Sequence, residues 1–572
     1  MNPALQRALD ACSSEQIHLS AAIQPHGHLI SCQLPDWTIR HVSANVESLT
    51  GAPPEAMLRH SLREFLTDDL IQSIAETIGF GEPGAPPQRA AVANIGLLAH
   101  LCDVSVHVAD GLVHIEIEPQ PRSAGERSPT VVAQTMIARV ANSANIADFN
   151  QRVAEQVRLL TGYDRVMVYR FRHDDAGEVV AESRDSELTS YLGLRYPASD
   201  IPAQARALYL RNRIRVIPDA RYTPVPIVPD RDARGMPLDL SQHALRSVSP
   251  VHLEYLANMG VAASMSISII AGGRLWGLIA CHHRVPRRVP PGVRAAADLF
   301  GLFVSMRIAS REQQHAAAVE EEARSVRDTL ALRLANASTP RMALAGELDL
   351  LVRAVDCEGA GLLQDGHWHS AGRAPAETSV PSLLAWLRRE GVGTGGVVST
   401  ERAETWAGSL EAADGLAGVL AVPLDLGRDE WLFFFRCEQV EDVRWAGSPE
   451  TPFVIDEEGD KIGPRASFAA WHETVRGLSA PWCDADFRVV ERLHLVVRER
   501  YRRTGPQVDA SDIHSRHARL DLRSQRHRLM QLSELLNGLV HVSPEEAAKL
   551  SQRINLLETE LQGLIGPMAA EA

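Results

Sequence analysis

Residues 196–215 read YPASDIPAQARALYLRNRIR. Pro197 and Pro202 enclose Asp200, and an arginine-rich helical pattern follows. Proline fixes its own φ and pushes its predecessor toward extended backbone, so Asp200 is held between two stiff flanks. One reading is local: Asp200 caps a helix, and Pro202 sits in its first turn, where a missing N–H costs nothing. The other reading is that a rigid backbone and several cations serve a binding site. The rest of the chain decides between them.

The chain has 572 residues, too many for one core, and a length prior suggests roughly three or four domains. Its 45% hydrophobic and 23% charged content is ordinary for a soluble globular protein. A net charge of −14 argues against nucleic acid as the main partner, because phosphates attract the opposite field. The first twenty residues, MNPALQRALDACSSEQIHLS, lack the apolar run of a secretory signal. The most apolar long stretch, ASMSISIIAGGRLWGLIAC, carries Arg274 and several glycines, so it reads as two strands and a turn rather than a membrane span. Seven cysteines without a Cys-x-x-Cys pair imply free thiols in a reducing compartment, hence a cytoplasmic protein with no membrane partner.

Up to about residue 125, short apolar runs alternate with turn signals, and LCDVSVHVADGLVHIEIEP reads as a hairpin turning at Asp110-Gly111. RSAGERSP is a polar linker. A helical pattern covers residues 135–160, RVMVYRF (165–171) is a strand, and ASMSISII and RLWGLIACHH are strands joined at Gly272-Gly273. Between them lies a long irregular stretch rich in proline and charge, of the kind that is usually functional or disordered. Residues 291–337 read as one long helical spine. A third α/β segment follows, with GLLQDG, GVLAVPLDL and EWLFFFRCEQ as strands and a second irregular excursion. The last section is helical: Leu529, Leu532, Leu536 and Leu539, then Leu550, Ile554, Leu557, Leu561 and Leu564, form apolar stripes on both sides of a capped turn at Ser543. Such a hairpin buries little alone, so it is expected to form a dimeric bundle.

Three groups of motifs belong together: CSSEQIHLSAAIQPHG near the start; YPASDIP, LRSVSPVHLEYL and LWGLIACHH in the middle; and WAG (445–447) with PRASF (464–468) in the third segment. In this order and spacing the chain resembles a bacterial phytochrome over residues 5–505. The resemblance implies an α/β (α+β) architecture of three sensory domains with central antiparallel sheets: PAS over 1–125, GAF over 135–310 and PHY over 311–505. The PHY domain would carry a tongue at about 441–482, and 506–572 would be a dimerising helical output. It implies a red/far-red photoreceptor holding biliverdin IXα, with Cys12 as the thiol of a thioether bond. Plant and cyanobacterial relatives use a cysteine just before the histidine of the S-P-x-H stretch; here that position is Val251. The other cysteines, Cys32, Cys102, Cys281, Cys357, Cys437 and Cys483, read as inert buried residues.

Two propionates call for guanidinium groups, and Arg215 and Arg246 match that role, with Tyr209, Ser249, Ser264 and Ser266 as hydroxyl neighbours. His252 and His282 match the histidines beside the pyrrole rings. Tyr169, Tyr196 and Tyr255 match the wall around the ring that isomerises. The main chain of Asp200 and Ile201 matches the segment that faces the pyrrole nitrogens. The Asp200 side chain would face Arg465 of the tongue, with Ser467 beside it, as a switch contact. The position two before Tyr196 often carries a polar residue in the family; here it is Leu194.

The residues after 505 are too few for an ATP-binding domain, and no glycine-rich phosphate loop is present. No enzyme is expected beyond self-attachment of the chromophore. His514, His517 and His527 read better as a solvated helix face than as phosphoacceptors. Either the output is a dimerising hairpin that meets an unidentified signalling protein, or the natural chain is longer. Three other classes stay open: a GAF-type sensor of a small ligand or tetrapyrrole without photoconversion, an enzyme acting on bilins, and a light-insensitive bilin scaffold.

Overall fold

The computed structural model describes residues 15–80, 86–96, 101–120, 128–232, 234–390, 396–425, 429–447, 453–455, 462–464 and 470–502. Cys12, Arg465, Ser467 and the whole segment 503–572, including His514, His517 and His527, lie outside them. The chain divides into two compact units, one of residues 1–313 with 442–473 and the other of 314–441 with 474–572. No described helix is long and apolar enough to cross a membrane.

The first unit opens with strands β1 (Ala22–Ile23), β2 (His28–Gln33), β3 (Thr38–Ser43), β4 (Gln88–Asn94), β5 (Leu101–Ala109) and β6 (Leu112–Pro119). The β5–β6 hairpin turns where the sequence predicts it, with Asp110 at φ 51° and Gly111 at φ 74°, the positive pair that a two-residue turn needs. Alternate residues of this sheet, among them Ile30, Ile39, Val104 and Ile115, bury one face against Leu70, Ile71 and Ile74 of helix Asp68–Phe80.

The unit's second sheet holds β7 (Arg165–Phe171), β8 (Gly177–Arg184), β9 (Leu194–Tyr196), β10 (Ile214–Ile217), β12 (Ala263–Ala271) and β13 (Arg274–His283) in the order β10-β12-β13-β7-β8-β9. β12 and β13 meet at Gly272 and Gly273, both at positive φ. One face is covered by Phe149, Val153 and Val157 of helix Ile146–Thr161 and by Phe300, Val304 and Ile308 of helix Pro291–Asn336. The helical pattern over 135–160 is in fact two helices, Pro129–Val140 and Ile146–Thr161. The break is chemical: the Asn145 side chain accepts from the Asp148 N–H at 2.9 Å and caps the second helix.

The irregular stretch after β10 is structural as well as exposed. It supplies β11 (Val225–Val228), which inserts between β1 and β3 of the first sheet. Its far arm returns on the other side of the same strand: the Gln24 N–H donates to the Leu245 carbonyl at 2.7 Å, and the Ser247 N–H donates to that of Ala22 at 2.9 Å. Residues 22–24 are thus bonded along both edges by two arms of one excursion. Gly27 makes the approach possible, since a Cβ there would stand 2.7 Å from Leu245 Cδ1.

In the second unit, β14 (Gly359–Gln364), β15 (His367–Gly372), β16 (Val398–Thr400), β17 (Leu416–Asp425) and β18 (Glu430–Cys437) form an antiparallel sheet in the order β15-β14-β18-β17-β16. Leu432 and Phe434 pack on one face with Leu330 and Leu334 of the long helix and Leu493 and Val497 of helix Asp484–Arg502. Phe433 and Phe435 pack on the other with Trp386 and Trp406. Strands β19 (Glu441–Ala446), β20 (Phe453–Ile455), β21 (Ile462–Pro464) and β22 (Ala470–Val475) make the second excursion, and β19 extends the sheet of the first unit by pairing in parallel with β9. The cysteines depart from the sequence reading: Cys32, Cys102 and Cys281 are buried, but Cys357 and Cys437 are half-buried and Cys483 is exposed. Cys483 precedes the first turn of helix Asp484–Arg502, where its N–H bonds Asp486 and its side chain reaches solvent.

Candidate functional site

The uncovered face of the second sheet is roofed by helices Ala203–Arg211 and Pro250–Asn258, and between them lies a cleft of about 1630 Å³, its open mouth included. Every site residue the sequence suggests within the described residues borders this cleft. Tyr169 comes from β7, Tyr196 from β9, Arg215 from β10, Ser264 and Ser266 from β12 and His282 from β13. Tyr209 comes from the first roofing helix, His252 and Tyr255 from the second, with Ser249 at its N-terminus. Asp200, Ile201 and Arg246 complete the wall from the connecting segments.

Asp200 does not cap a helix. It ends a short 3₁₀ turn, Ala198–Asp200, and the next helix starts at Ala203 with Pro202 as its uncapped N-terminal neighbour. The carboxylate instead accepts from the Tyr255 hydroxyl at 2.9 Å. His252 and Tyr255, one helical turn apart, present parallel rings 6.1 Å between centroids. Tyr169 needs Gly177 across the strand pair, because a Cβ there would lie 1.6 Å from its hydroxyl oxygen.

The two arginines are both only 8% exposed. Arg215 donates to the carbonyls of Ala244, at 3.1 Å, and Arg246. Arg246 donates to the Ile17 carbonyl at 3.0 Å, while its Nε is buried without a hydrogen-bond partner. Burial, and then repulsion from Arg215, push the Arg246 guanidinium down to about 9. Burial likewise holds His252 at about 4, aided by Arg215, and His282 at about 3, aided by Arg165 and His252. Both imidazoles are therefore neutral at pH 7. The His282 Nδ1 and the Tyr196 hydroxyl are buried without partners. Two desolvated cations and several unsatisfied polar atoms around one apolar cleft suit a long ligand with two acidic groups and polar atoms along its length.

Sequence reasoning missed the apolar lining. Met167, Ala280 and Leu278 stand two or four residues from Tyr169 and His282, so strand alternation alone would have found them. Glu15 and Ile17 also border the cleft, and Glu15 accepts from the Ser249 hydroxyl at 3.0 Å. Val251 is in the lining, whereas Leu194 packs beneath it with Tyr169, Tyr196 and Ala446.

Fold and cleft define a multidomain α/β chain with a ligand-sized site on one face of its second sheet. Family models agree: a PAS fold matches residues 12–120, a GAF domain 145–308 and a phytochrome region 323–504. A bacteriophytochrome of Pseudomonas aeruginosa is 38% identical over 87% of this chain and 67% of its own length. Cyanobacterial phytochrome B of Nostoc sp. is 34% identical over 83% of this chain, which spans 64% of that relative. The crystal structure of a bacteriophytochrome from R. palustris superposes with a TM-score of 0.73 at 34% identity, covering 87% of this chain and all of that one. The chain belongs to the phytochrome family of photoreceptors and carries the PAS, GAF and PHY domains of a bacteriophytochrome photosensory module.

Proposed function

We propose that the chain is a red/far-red photoreceptor that holds biliverdin IXα, a linear tetrapyrrole, in the cleft and switches reversibly between two states. The observation that carries this reading is the pair of buried arginines, Arg215 and Arg246, facing one apolar cleft with unsatisfied polar atoms around them. Their guanidinium groups suit two propionates, with Tyr209, Ser249, Ser264 and Ser266 as hydroxyl partners. Cys12 is the proposed attachment thiol. Glu15 and Ile17, three and five residues further on, border the cleft, and Val251 leaves the alternative attachment position without sulfur.

When bound, the chromophore supplies light absorption and isomerisation about one double bond. The chain's part is to confine and relay. Tyr169, Tyr196 and Tyr255 shape the wall against which a rotating ring would press. Neutral His252 and His282 offer one donor and one acceptor each, and the stiff segment around Asp200 and Ile201 presents fixed main-chain dipoles. Tyr196 ends β9, whose backbone pairs with β19 through Leu194 and Arg195. A displacement at Tyr196 or Asp200 therefore reaches the 441–482 tongue within a few residues. Exchange of the Asp200 partners Tyr255 and Arg465, with Ser467 nearby, is the proposed switch contact, and refolding of the tongue would pull on the Pro291–Asn336 helix. The domain limits 1–125, 135–310, 311–505 and 506–572, a cytoplasmic homodimer and a C-terminal output surface for a signalling protein belong to the same proposal.

The test is an absorption spectrum of the chain mixed with biliverdin, before and after red and far-red illumination, beside Cys12→Ala. Reversible bands, with a denaturation-resistant adduct lost in the variant, are expected. A bound but light-insensitive pigment would reduce the reading to a tetrapyrrole scaffold, and no red-region band would leave a GAF-type small-ligand sensor.

A further inference from the structure

A second buried constellation lies away from the cleft, in the first unit. His107 on β5 and His114 on β6 are direct cross-strand partners, and their rings stack with centroids 4.9 Å apart. His243, from the far arm of the excursion after β11, meets both rings edge-on at 4.5 and 4.7 Å. The three residues are 5%, 1% and 1% exposed, and one nitrogen from each ring lies within 4.8 Å of the others.

Their hydrogen bonding is incomplete in a particular way. Neither nitrogen of His107 and neither nitrogen of His243 has a hydrogen-bond partner, although all four are buried. A neutral imidazole carries one N–H and one lone pair, so each ring leaves a donor and an acceptor desolvated and unused. His114 differs: its Nδ1 is 2.9 Å from the Ser31 hydroxyl and its Nε2 3.3 Å from the Ala109 carbonyl. Burial keeps all three rings uncharged at neutral pH, His107 at about 3, His114 at about 4 and His243 well below the usual range. The nearby carboxylates are committed elsewhere: Glu116 accepts from the N–H groups of Ala244 and Leu245, and Asp239 from the N–H and hydroxyl of Ser241.

We propose that His107, His114 and His243 form a binding site for a divalent transition-metal ion of the zinc class. Three imidazoles with one open position are an established ligand set for such ions, and the uncharged ring is the form that ligates. Ligand nitrogens around a tetrahedral ion stand about 3.3 Å apart, so the trio closes by roughly an ångström on binding. The Ser31 hydroxyl holds His114 by Nδ1, the outer support that metal-binding histidines require, and Nε2 would exchange its long 3.3 Å contact with the Ala109 carbonyl for the ion. The ion would tie the β5–β6 hairpin to the excursion three residues before Arg246, so it would also fix one wall of the cleft. This site stands whether or not the cleft holds a tetrapyrrole.

The experiment uses the full chain without added chromophore, stripped with a chelator and then titrated with zinc(II), and with cobalt(II) as a visible reporter. One tight equivalent per chain is expected, with the intense visible band of low-coordinate cobalt. Both His107→Gln and His243→Gln should weaken binding at least tenfold while far-ultraviolet circular dichroism is unchanged. Less than one equivalent in the parent chain, or variants that bind as the parent does, overturns the proposal and leaves a packed trio of neutral rings. Should both variants misfold, X-ray absorption of the zinc-loaded parent decides: three imidazole ligands uphold the site, and fewer overturn it.

Discussion

Arg246 is costly to bury in three ways. Its charge is largely desolvated, it is repelled by Arg215, and its Nε has no partner. A buried cation held for a ligand destabilises the protein that lacks the ligand. Arg246→Gln should therefore weaken biliverdin binding about tenfold or more, the worth of one charge-assisted hydrogen bond at about 1.5–3 kcal/mol. The same variant should leave the chromophore-free chain no less stable. Titration followed by absorbance and a thermal melt of the chromophore-free chain measure the two effects, and a large loss of stability would show a structural arginine. At this scale the polar half of the cleft was legible through its motifs, and Tyr169 and His282 fall on strands the period of the sequence predicts, whereas Arg215, read at the end of a helical pattern, stands on β10. The Asp200–Tyr255 hydrogen bond was not, since the two residues are far apart in the chain and their contact depends on how the second roofing helix lies against the PASDIP turn. The local reading of Asp200 as a cap failed for a related reason: Pro202 ends the 3₁₀ turn and starts the helix anew.

Strand β9 is short, and its position rests on Gly193. That residue holds φ at +76° and its N–H donates to the Val179 carbonyl at 2.9 Å, turning the chain into the strand that meets β19. A Cβ at Gly193 would also stand 2.8 Å from Nη2 of Arg444, whose guanidinium bonds the Leu192 carbonyl. Gly193→Val should thus weaken the β9–β19 pairing by at least about 1–2 kcal/mol, the cost of a side chain in left-handed backbone. Hydrogen exchange should accelerate at residues 194–196 and 441–446 while β12 and β13 stay protected; unchanged exchange at 194–196 and 441–446 would refute this role of Gly193. Elements with strong period were readable from the sequence, as the β5–β6 and β12–β13 hairpins and the 46-residue helix Pro291–Asn336 illustrate. β11, with Pro226 inside it, and β16, preceded by Gly395 and Gly396, were not, because a strand of three or four residues carries too little periodicity and owes its existence to the partner edge.

Across the molecule, buried histidines set the response to acid. His26 at about 4, His107 at about 3, His252 at about 4 and His282 at about 3 all sit below an unfolded value near 6.5, chiefly through burial. The unfolded chain binds more protons there, so their contribution is fully present above pH 6.5 and is lost as pH falls toward 4, each by about 1.4 kcal/mol per pH unit. Glu116, raised by burial to about 7, acts in the opposite sense between pH 7 and 4.5 and offsets one of them. The melting temperature of the chromophore-free chain should therefore fall steeply between pH 6.5 and 4.5; a flat profile would mean that the rings are hydrated.

Residues 22–24 are bonded along both edges, to the Val225–Val228 arm on one side and to residues 245–247 on the other. A pull along this segment loads those hydrogen bonds side by side rather than one after another. They must then break together, so the grip resists as a shear joint and not as a zip. Cutting the covalent link between the first two domains would leave them fastened by this joint, and the cleft wall at Arg246, bridged directly to Ile23, would keep its place.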